Sequence, residues 1–495
     1  MTPVFAIRTP LGTRRIFTVG LACAAVLAGL GAPSAEAARP LHTGVSYVYE
    51  NDPSAFENVK LTGSKLTLTP LRWGRIAPTR QPASWNPADP ADPNYDWEEF
   101  DIWAINAVNA GLIPVFQVRG APLWAQRCPG ASETDAPCKP DPAMLATFAA
   151  AAAQRYGGQF GGLPRVKYWQ GLNEPNLSLF FMPQYEDGKP VSPALYRELI
   201  NAFYAAVKGV DPSNVVIAAG LGPIAVPRYT IGPMRFTRDL LCMRGHKHPQ
   251  PLPGNCGGGV HFDIFDIHPY TSGSPAHEGG VNDVQLGDLE KLQKLLRAAD
   301  RAGRIKSQFK RTPLWLTEVS WDSRPPDPGG LPMSILKRWT SEALYRAWQA
   351  GIGTFMWYSL RDGEHFPDTP SYLMPESGLF FRGPTVAQDQ PKASLYAFRF
   401  PFVAYPRKKG LAFWGRTPNS KGGKVVIQLR RGKGWRKAVA VRADRFGIFQ
   451  GLAPTGYGRN KRGAVRAHFG KGGSVPFSMR PVPDFRHPPF GAEIG

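Results

Sequence analysis

Cysteine is scarce in this chain, with 5 among 495 residues, and the 9 histidines are scattered. No Cys-x-x-Cys spacing occurs, so the sequence supports no zinc site. No Gly-x-Gly-x-x-Gly turn follows the first strand-like run and no Walker loop appears, which leaves nucleotide binding without support. Beyond residue 37 no apolar run reaches the length of a membrane span. Acidic residues are nearly missing from the end of the chain. From Arg407 onward there are 3 Asp and Glu against 20 Lys and Arg, whereas the preceding residues are close to neutral. No nucleic-acid recognition motif accompanies that basic stretch, so nucleic acid is not expected as a partner.

What is present points to a large folded core. The chain is 43% hydrophobic and 12% aromatic, with 13 Trp, a composition far from that of disordered segments. Residues 1–37 read as an export signal. Arg8, Arg14 and Arg15 precede an apolar stretch over 16–30, and Ala35-Glu36-Ala37 suits cleavage. Thr13-Arg14-Arg15-Ile16-Phe17 also resembles a twin-arginine signal. The expectation is a secreted protein, with attachment to the cell wall as a further option. Four cysteines remain after such cleavage and fall as two local pairs, Cys128 with Cys138 and Cys242 with Cys256. In an oxidising compartment these are expected to close two loops as disulfides.

Between residues 41 and 406, strand-like runs at 43–47, 65–72, 113–118, 166–172, 215–219, 264–268, 314–317 and 353–358 alternate with helical patterns. Leu289, Leu292, Leu295, Leu296 and Ala299 trace one helical face, and Ser192-Pro193 reads as a helix cap followed by its first residue. Eight such units predict a (β/α)8 barrel, the TIM barrel, over residues 38–406. Long irregular stretches follow the strands, where a barrel builds its cleft. Over 407–495, five short β-like runs separated by Gly and charge predict a small basic β-sandwich domain.

The strand ends carry reactive side chains. The fourth run ends in Asn173-Glu174-Pro175, and Pro175, having no N–H for a ladder, is expected to stop the strand at Glu174. The sixth run ends in His268-Pro269-Tyr270, the seventh in Thr317-Glu318 and the eighth in Trp357-Tyr358. Arg72 ends the second, and Trp124 follows the third. Two carboxylates at opposite strand tips match the needs of glycosidic-bond cleavage, in which one protonates the leaving oxygen and the other attacks the anomeric carbon. Trp rings stack on sugar C–H faces, although Trp124 and Trp321 are equally readable as rim packing.

Leu172-Asn173-Glu174-Pro175-Asn176 and Leu316-Thr317-Glu318, with Arg72, His268, Tyr270 and Trp357, resemble clan A retaining glycoside hydrolases, nearest to the family 39 and family 5 branches. The resemblance covers roughly residues 41–402. It implies that Glu174 is the general acid/base and Glu318 the nucleophile. It further implies that Asn173 holds the sugar 2-hydroxyl, Tyr270 and Arg72 steady Glu318, Trp357 floors the sugar site and His268 lines it. The Glu174 carboxyl is then expected to titrate well above its ordinary value while Glu318 stays ionised. No metal or organic cofactor is called for. The implied partner is a β-linked oligo- or polysaccharide, and the basic tail adds an anionic cell-wall or extracellular polymer. An inverting hydrolase, with more widely spaced carboxylates, and a non-catalytic carbohydrate-binding surface protein on the same scaffold are the alternatives.

Overall fold

The computed structural model describes residues 39–131, 136–254, 258–364, 375–408, 410–454, 463–480 and 482. The expected export segment lies outside the described residues, as does Cys256. Residues 38–495 form one compact unit. Among the described residues no helix is long and apolar enough to cross a membrane.

Eight parallel strands close into a barrel. They are β1 (His42–Ser46), β2 (Leu66–Arg72), β3 (Ile113–Arg119), β4 (Tyr168–Gly171), β5 (Val215–Leu221), β6 (Ile264–Ile267), β7 (Leu314–Leu316) and β8 (Thr354–Tyr358). Each is followed by a helix: α1 (Pro53–Leu61), α2 (Glu98–Asn109), α3 (Pro142–Arg155), α4 (Ser192–Val210), α5 (Pro233–Leu240), α6 (Leu289–Arg301), α7 (Met333–Gln349) and α8 (Ala393–Arg399). All eight expected strands are present. The ring closes where β1 pairs with β8, Val45 opposite Trp357.

Strand alternation divides the side chains into two layers. Leu66, Leu68, Val115, Val215, Ile217, Ile264, Trp315 and Met356 point inward and plug the lower barrel as their own apolar cluster. The outward residues pack beneath the helices in a second, larger core. Higher up, the same inward rows turn polar and are still buried: Gln117, Gln170, Asp266, His268 and Thr317. Burying so many polar groups together is costly unless they satisfy one another, which marks this end of the barrel.

Helix starts follow local chemistry in part. Asp52 caps α1 through the Ser54 N–H at 2.8 Å, and Asp141 caps α3 through Ala143 and Met144. Ser192 does not cap α4. It is the first residue of the helix, and its buried hydroxyl donates to Gln184 Oε1 at 2.9 Å.

After α8 the chain builds two antiparallel sheets. The first joins β9 (Phe402–Arg407), β10 (Gly410–Arg416) and the later β13 (Ile448–Ala453). The second joins β12 (Gly434–Ala443), β11 (Gly423–Arg431) and β14 (Ala464–Phe469). Their inner faces belong to the apolar cluster that surrounds the barrel. Trp414 on β10 packs against Tyr345 and Trp348 of α7, with ring centroids 5.3 and 5.6 Å apart. Arg416 is buried beneath the barrel, donating to the Leu41 carbonyl at 3.1 Å and Thr43 Oγ1 at 3.2 Å.

Candidate active site

The polar end of the barrel is assembled from the tips of β4, β6 and β7. The β4 ladder stops at Gly171, earlier than Pro175 alone requires. Leu172 and Glu174 take left-handed backbone angles, φ 64° and 41°, and turn the chain inward over the barrel mouth. Two contacts hold this turn. The Glu174 N–H donates to the Gly220 carbonyl at 3.1 Å. The buried Asn176 amide bridges the Gly222 and Ile231 carbonyls and accepts from the Gly222 N–H.

Glu174, His268 and Glu318 meet there. Their donor atoms all lie within 4.8 Å of one another, and no other such group of His, Cys, Asp and Glu occurs among the described residues. Nδ1 of His268 is 2.9 Å from Glu174 Oε1 and 3.5 Å from Glu318 Oε1. Nε2 is 2.9 Å from Thr317 Oγ1 and 3.4 Å from Asp266 Oδ2. The Thr317 hydroxyl proton goes to Asp266 Oδ2. Thr317 Oγ1 is therefore left to accept, so Nε2 carries a hydrogen. With carboxylates on both sides, the ring is favoured as an imidazolium.

The electrostatics agree. Burial by itself lowers the His268 pKa, but Glu318, Asp266 and Glu174 outweigh it and hold the ring well above its ordinary value. Glu318 departs from the expectation of ready ionisation. Burial pushes its carboxyl up and Glu174 adds to the push, while His268 and the hydroxyls of Tyr47 and Tyr270 pull it back. Tyr270 donates to Glu318 Oε2 at 3.0 Å. Oε1 of Glu318 is buried with no hydrogen-bond partner among the described residues, and it lies 3.5 Å from His268 Nδ1.

Asp266 anchors the layer below. Besides the Thr317 hydroxyl, it accepts from Gln170 Nε2 at 3.0 Å and from the Thr317 N–H at 3.0 Å. Gly220 makes room for it. A β-carbon there would stand 2.5 Å from Gln170 Nε2, 2.9 Å from His268 Nε2 and 3.0 Å from Asp266 Oδ2, and the backbone is left-handed at φ 59°.

Asn173 is buried beside the pair, its Oδ1 accepting from Gln117 Nε2 at 2.9 Å. The single Tyr47 proton has several acceptors in reach: Gln117 Oε1 at 2.8 Å, Asn173 Oδ1 at 3.4 Å and the Glu318 carboxylate. Burial, with the Glu318 charge as a further cause, pushes Tyr47, Tyr270 and Tyr358 well above their usual range, so all three remain neutral hydroxyls.

The structure thus brings Glu174, Glu318, Asn173, His268 and Tyr270 together, and three other expected residues stand elsewhere. Arg72 makes no ion pair with Glu318 among the described residues; its guanidinium lies 5.9 Å from the centre of the Tyr49 ring. Trp357 does not floor the mouth. Met356 and Tyr358 take the inward positions of β8, so Trp357 faces out, fully buried, with its N–H on the Ser377 carbonyl at 2.7 Å. Trp124 sits in a short 3₁₀ turn that lays it on the loop after β2. Its N–H reaches the Pro78 carbonyl at 2.8 Å, and its ring meets Trp73 and Trp85 edge-on. Cys128 and Cys138 form a disulfide, with Cα atoms 5.7 Å apart. The expected Cys242–Cys256 bridge involves a residue outside the described ones.

Sequence reasoning missed Tyr47, Gln117, Gln170, Asp266 and Arg119, and it named Thr317 and Tyr358 at their strand ends without a role. Their signal was period two: polar residues recurring on the inward side of otherwise apolar strands, as in Asp266 and His268. Arg119 closes β3 on that side. It packs on the Phe180 ring at 4.4 Å, and its charge lowers the titration of Tyr47 and Tyr358.

Among solved structures the chain is similar to a family 39 glycoside hydrolase from the gut symbiont Bacteroides cellulosilyticus WH2. The identity is 17% over 84% of this chain and 81% of that chain, with a TM-score of 0.52. A glucosidase from Croceicoccus marinus is 16% identical over 84% of this chain and 81% of that chain, with a TM-score of 0.49. What the first likeness shows is a shared (β/α)8 barrel fold. No family model and no curated protein sequence matches the chain.

Proposed function

We propose that the chain is a retaining glycoside hydrolase acting on a β-linked oligo- or polysaccharide by double displacement. One observation carries the reading. Carboxylate oxygens of Glu174 and Glu318 lie within 4.8 Å of each other at the tips of β4 and β7. Retaining pairs stand about 5–5.5 Å apart, whereas inverting pairs leave about 6.5–9.5 Å for a water molecule. The barrel fold, shared with a family 39 glycoside hydrolase, supports the same reading.

In the first step Glu174 gives its proton to the glycosidic oxygen and that C–O bond breaks. A carboxylate oxygen of Glu318, within 4.8 Å of the Glu174 carboxylate, bonds to the anomeric carbon as a glycosyl ester. His268, Tyr47 and Tyr270 favour the anionic form of Glu318 that this attack requires. In the second step Glu174, now a carboxylate, takes a proton from water. The resulting hydroxide displaces Glu318, restoring its carboxylate and leaving the sugar with its original anomeric form. Asn173 presents its amide N–H groups to the sugar 2-hydroxyl, since its Oδ1 is already held by Gln117. A carbohydrate-binding protein without catalysis gives no reason to hold two carboxylates this close, because their repulsion must then be offset with no return.

The test is hydrolysis of aryl β-glycosides followed by NMR from the first turnover. Product appearing first in the anomeric form of the substrate is expected. Inverted product, or no hydrolysis across pyranoside and furanoside substrates, overturns the reading.

A further inference from the structure

The outer face of the β12–β11–β14 sheet is a cationic platform. Pairing places Lys424 opposite Arg442, Val426 opposite Ala440, Gln428 opposite Lys437 and Arg430 opposite Trp435. On the other side of β11, Arg466 stands opposite Gln428 and His468 opposite Val426. Val425, Ile427, Leu429, Val465 and Ala467 are buried beneath, so these partners share the opposite, open face. Five cations therefore project from one side of three strands: Lys424, Arg430, Lys437, Arg442 and Arg466. None of the five pairs with a carboxylate among the described residues.

Among the described residues, acidic side chains do not balance this face. Asp444 is the only acidic residue described after 407, and its Oδ1 accepts from the Phe446 and Ile448 N–H groups at 2.8 and 2.9 Å to shape the turn into β13. One cation is also held in place. Arg466 donates through Nε to Gln428 Oε1 at 2.7 Å and stacks 4.4 Å from the centre of the Trp435 ring. The anchored guanidinium keeps its outer N–H groups for a ligand oxygen.

We propose that this face binds an anionic polysaccharide, a carboxylate- or sulfate-bearing chain lying across β12, β11 and β14. The choice of polysaccharide rests on the proposed hydrolase function, because the sheet belongs to the same compact unit as the barrel and holds it near polymeric substrate. Strands about 4.8 Å apart, with side chains on one face every second residue, match an extended polymer with a charge on successive units. Nucleic acid fits less well. Single-strand platforms use rows of open aromatic rings, and here Trp435 has Arg466 against its ring and no row of aromatics beside it among the described residues.

The test uses the full chain carrying Glu174→Gln, so that binding is read without turnover. Retention on immobilised polygalacturonate at 0.01 M salt is compared for this parent, an Arg430→Glu/Lys437→Glu/Arg442→Glu variant and a control. The control, Lys294→Glu/Arg301→Glu/Lys310→Glu, makes the same charge change on the barrel exterior. The face variant is expected to weaken binding at least tenfold and the control less than twofold. Parental binding should fade by 0.5 M salt, as screened charge contacts do. Equal losses in face variant and control would reduce the effect to net charge and overturn the proposal. So would unchanged binding in the face variant, or tighter binding of double-stranded DNA than of polygalacturonate. The same triple reversals with Glu174 intact should leave hydrolysis of a small neutral aryl glycoside unaltered. Failure of the chain with Glu174 intact to hydrolyse any glycoside removes the proposed function, whereas failure of the retention test removes only the platform.

Discussion

Nδ1 of His268 lies 2.9 Å from Oε1 of Glu174, and the same ring donates through Nε2 to Thr317, whose own proton is committed to Asp266. The imidazolium is thus maintained by carboxylates on both sides. Its native pKa is raised, so its contribution to stability is complete below the unfolded value of about 6.5 and is lost as pH rises through the native value. Asp266→Asn removes one of the supporting charges. The alkaline limb of kcat/KM is expected to move toward lower pH with kcat at the acidic side largely preserved. A pH profile that superimposes on the parent would show that Asp266 only fills space.

Glu174→Gln and Glu318→Gln keep the size of each side chain and one acceptor oxygen but remove the acid and the nucleophile. Each should lower kcat by about 10²–10⁴ while thermal unfolding stays near the parent. Sodium azide should partly restore a Glu318→Gly variant and give a glycosyl azide of opposite anomeric form. Rescue with the substrate's own configuration would reassign the nucleophile.

Strand positions were legible because apolar runs and Gly/Pro breaks mark them, and the two carboxylates because they close such runs. Side-chain direction was not. Trp357 and Tyr358 are adjacent aromatics, and only the inward alternation from Met356 tells which one reaches the mouth. Arg72 shares the inward parity of Leu66 and Leu68, but the length and bend of the loops decide what it meets, and here that is Tyr49. Thr317 stands in the sequence as the neighbour of Glu318, with no contact of its own to be read there. Its role depends on pairing β6 with β7, which local sequence does not encode.

Gly220 tests the tightness of the layer under His268. An alanine there would bring a β-carbon within 3.0 Å of Gln170, His268 and Asp266 on a left-handed backbone. Gly220→Ala should cost about 2–4 kcal/mol, combining backbone strain with overpacking. Activity should fall more than stability at a temperature where the fold survives, because His268 must move first. A variant with parental melting temperature and turnover would show that the layer has slack.

Lys392 offers the sharpest stability test. It is fully buried at the start of α8, and its ammonium donates to Asp362 Oδ1 at 2.5 Å, Ser323 Oγ at 2.8 Å and the Glu376 carbonyl at 3.0 Å. These groups come from the stretches after β7 and β8, so one cation ties two rim segments to a helix. Burial pushes the Lys392 pKa down while Asp362 holds it back, and burial pushes the Asp362 carboxyl up while Lys392 pulls it back. Removing one partner of such a pair leaves the other charge buried alone. Lys392→Met should therefore destabilise by about 3–5 kcal/mol, read as a drop in the urea midpoint. Adding Asp362→Asn should recover part of that loss, because the stranded charge is gone although the tie is not. If the double variant is no more stable than Lys392→Met, the cost lies in the lost contacts with Ser323 and Glu376 rather than in an uncompensated carboxylate.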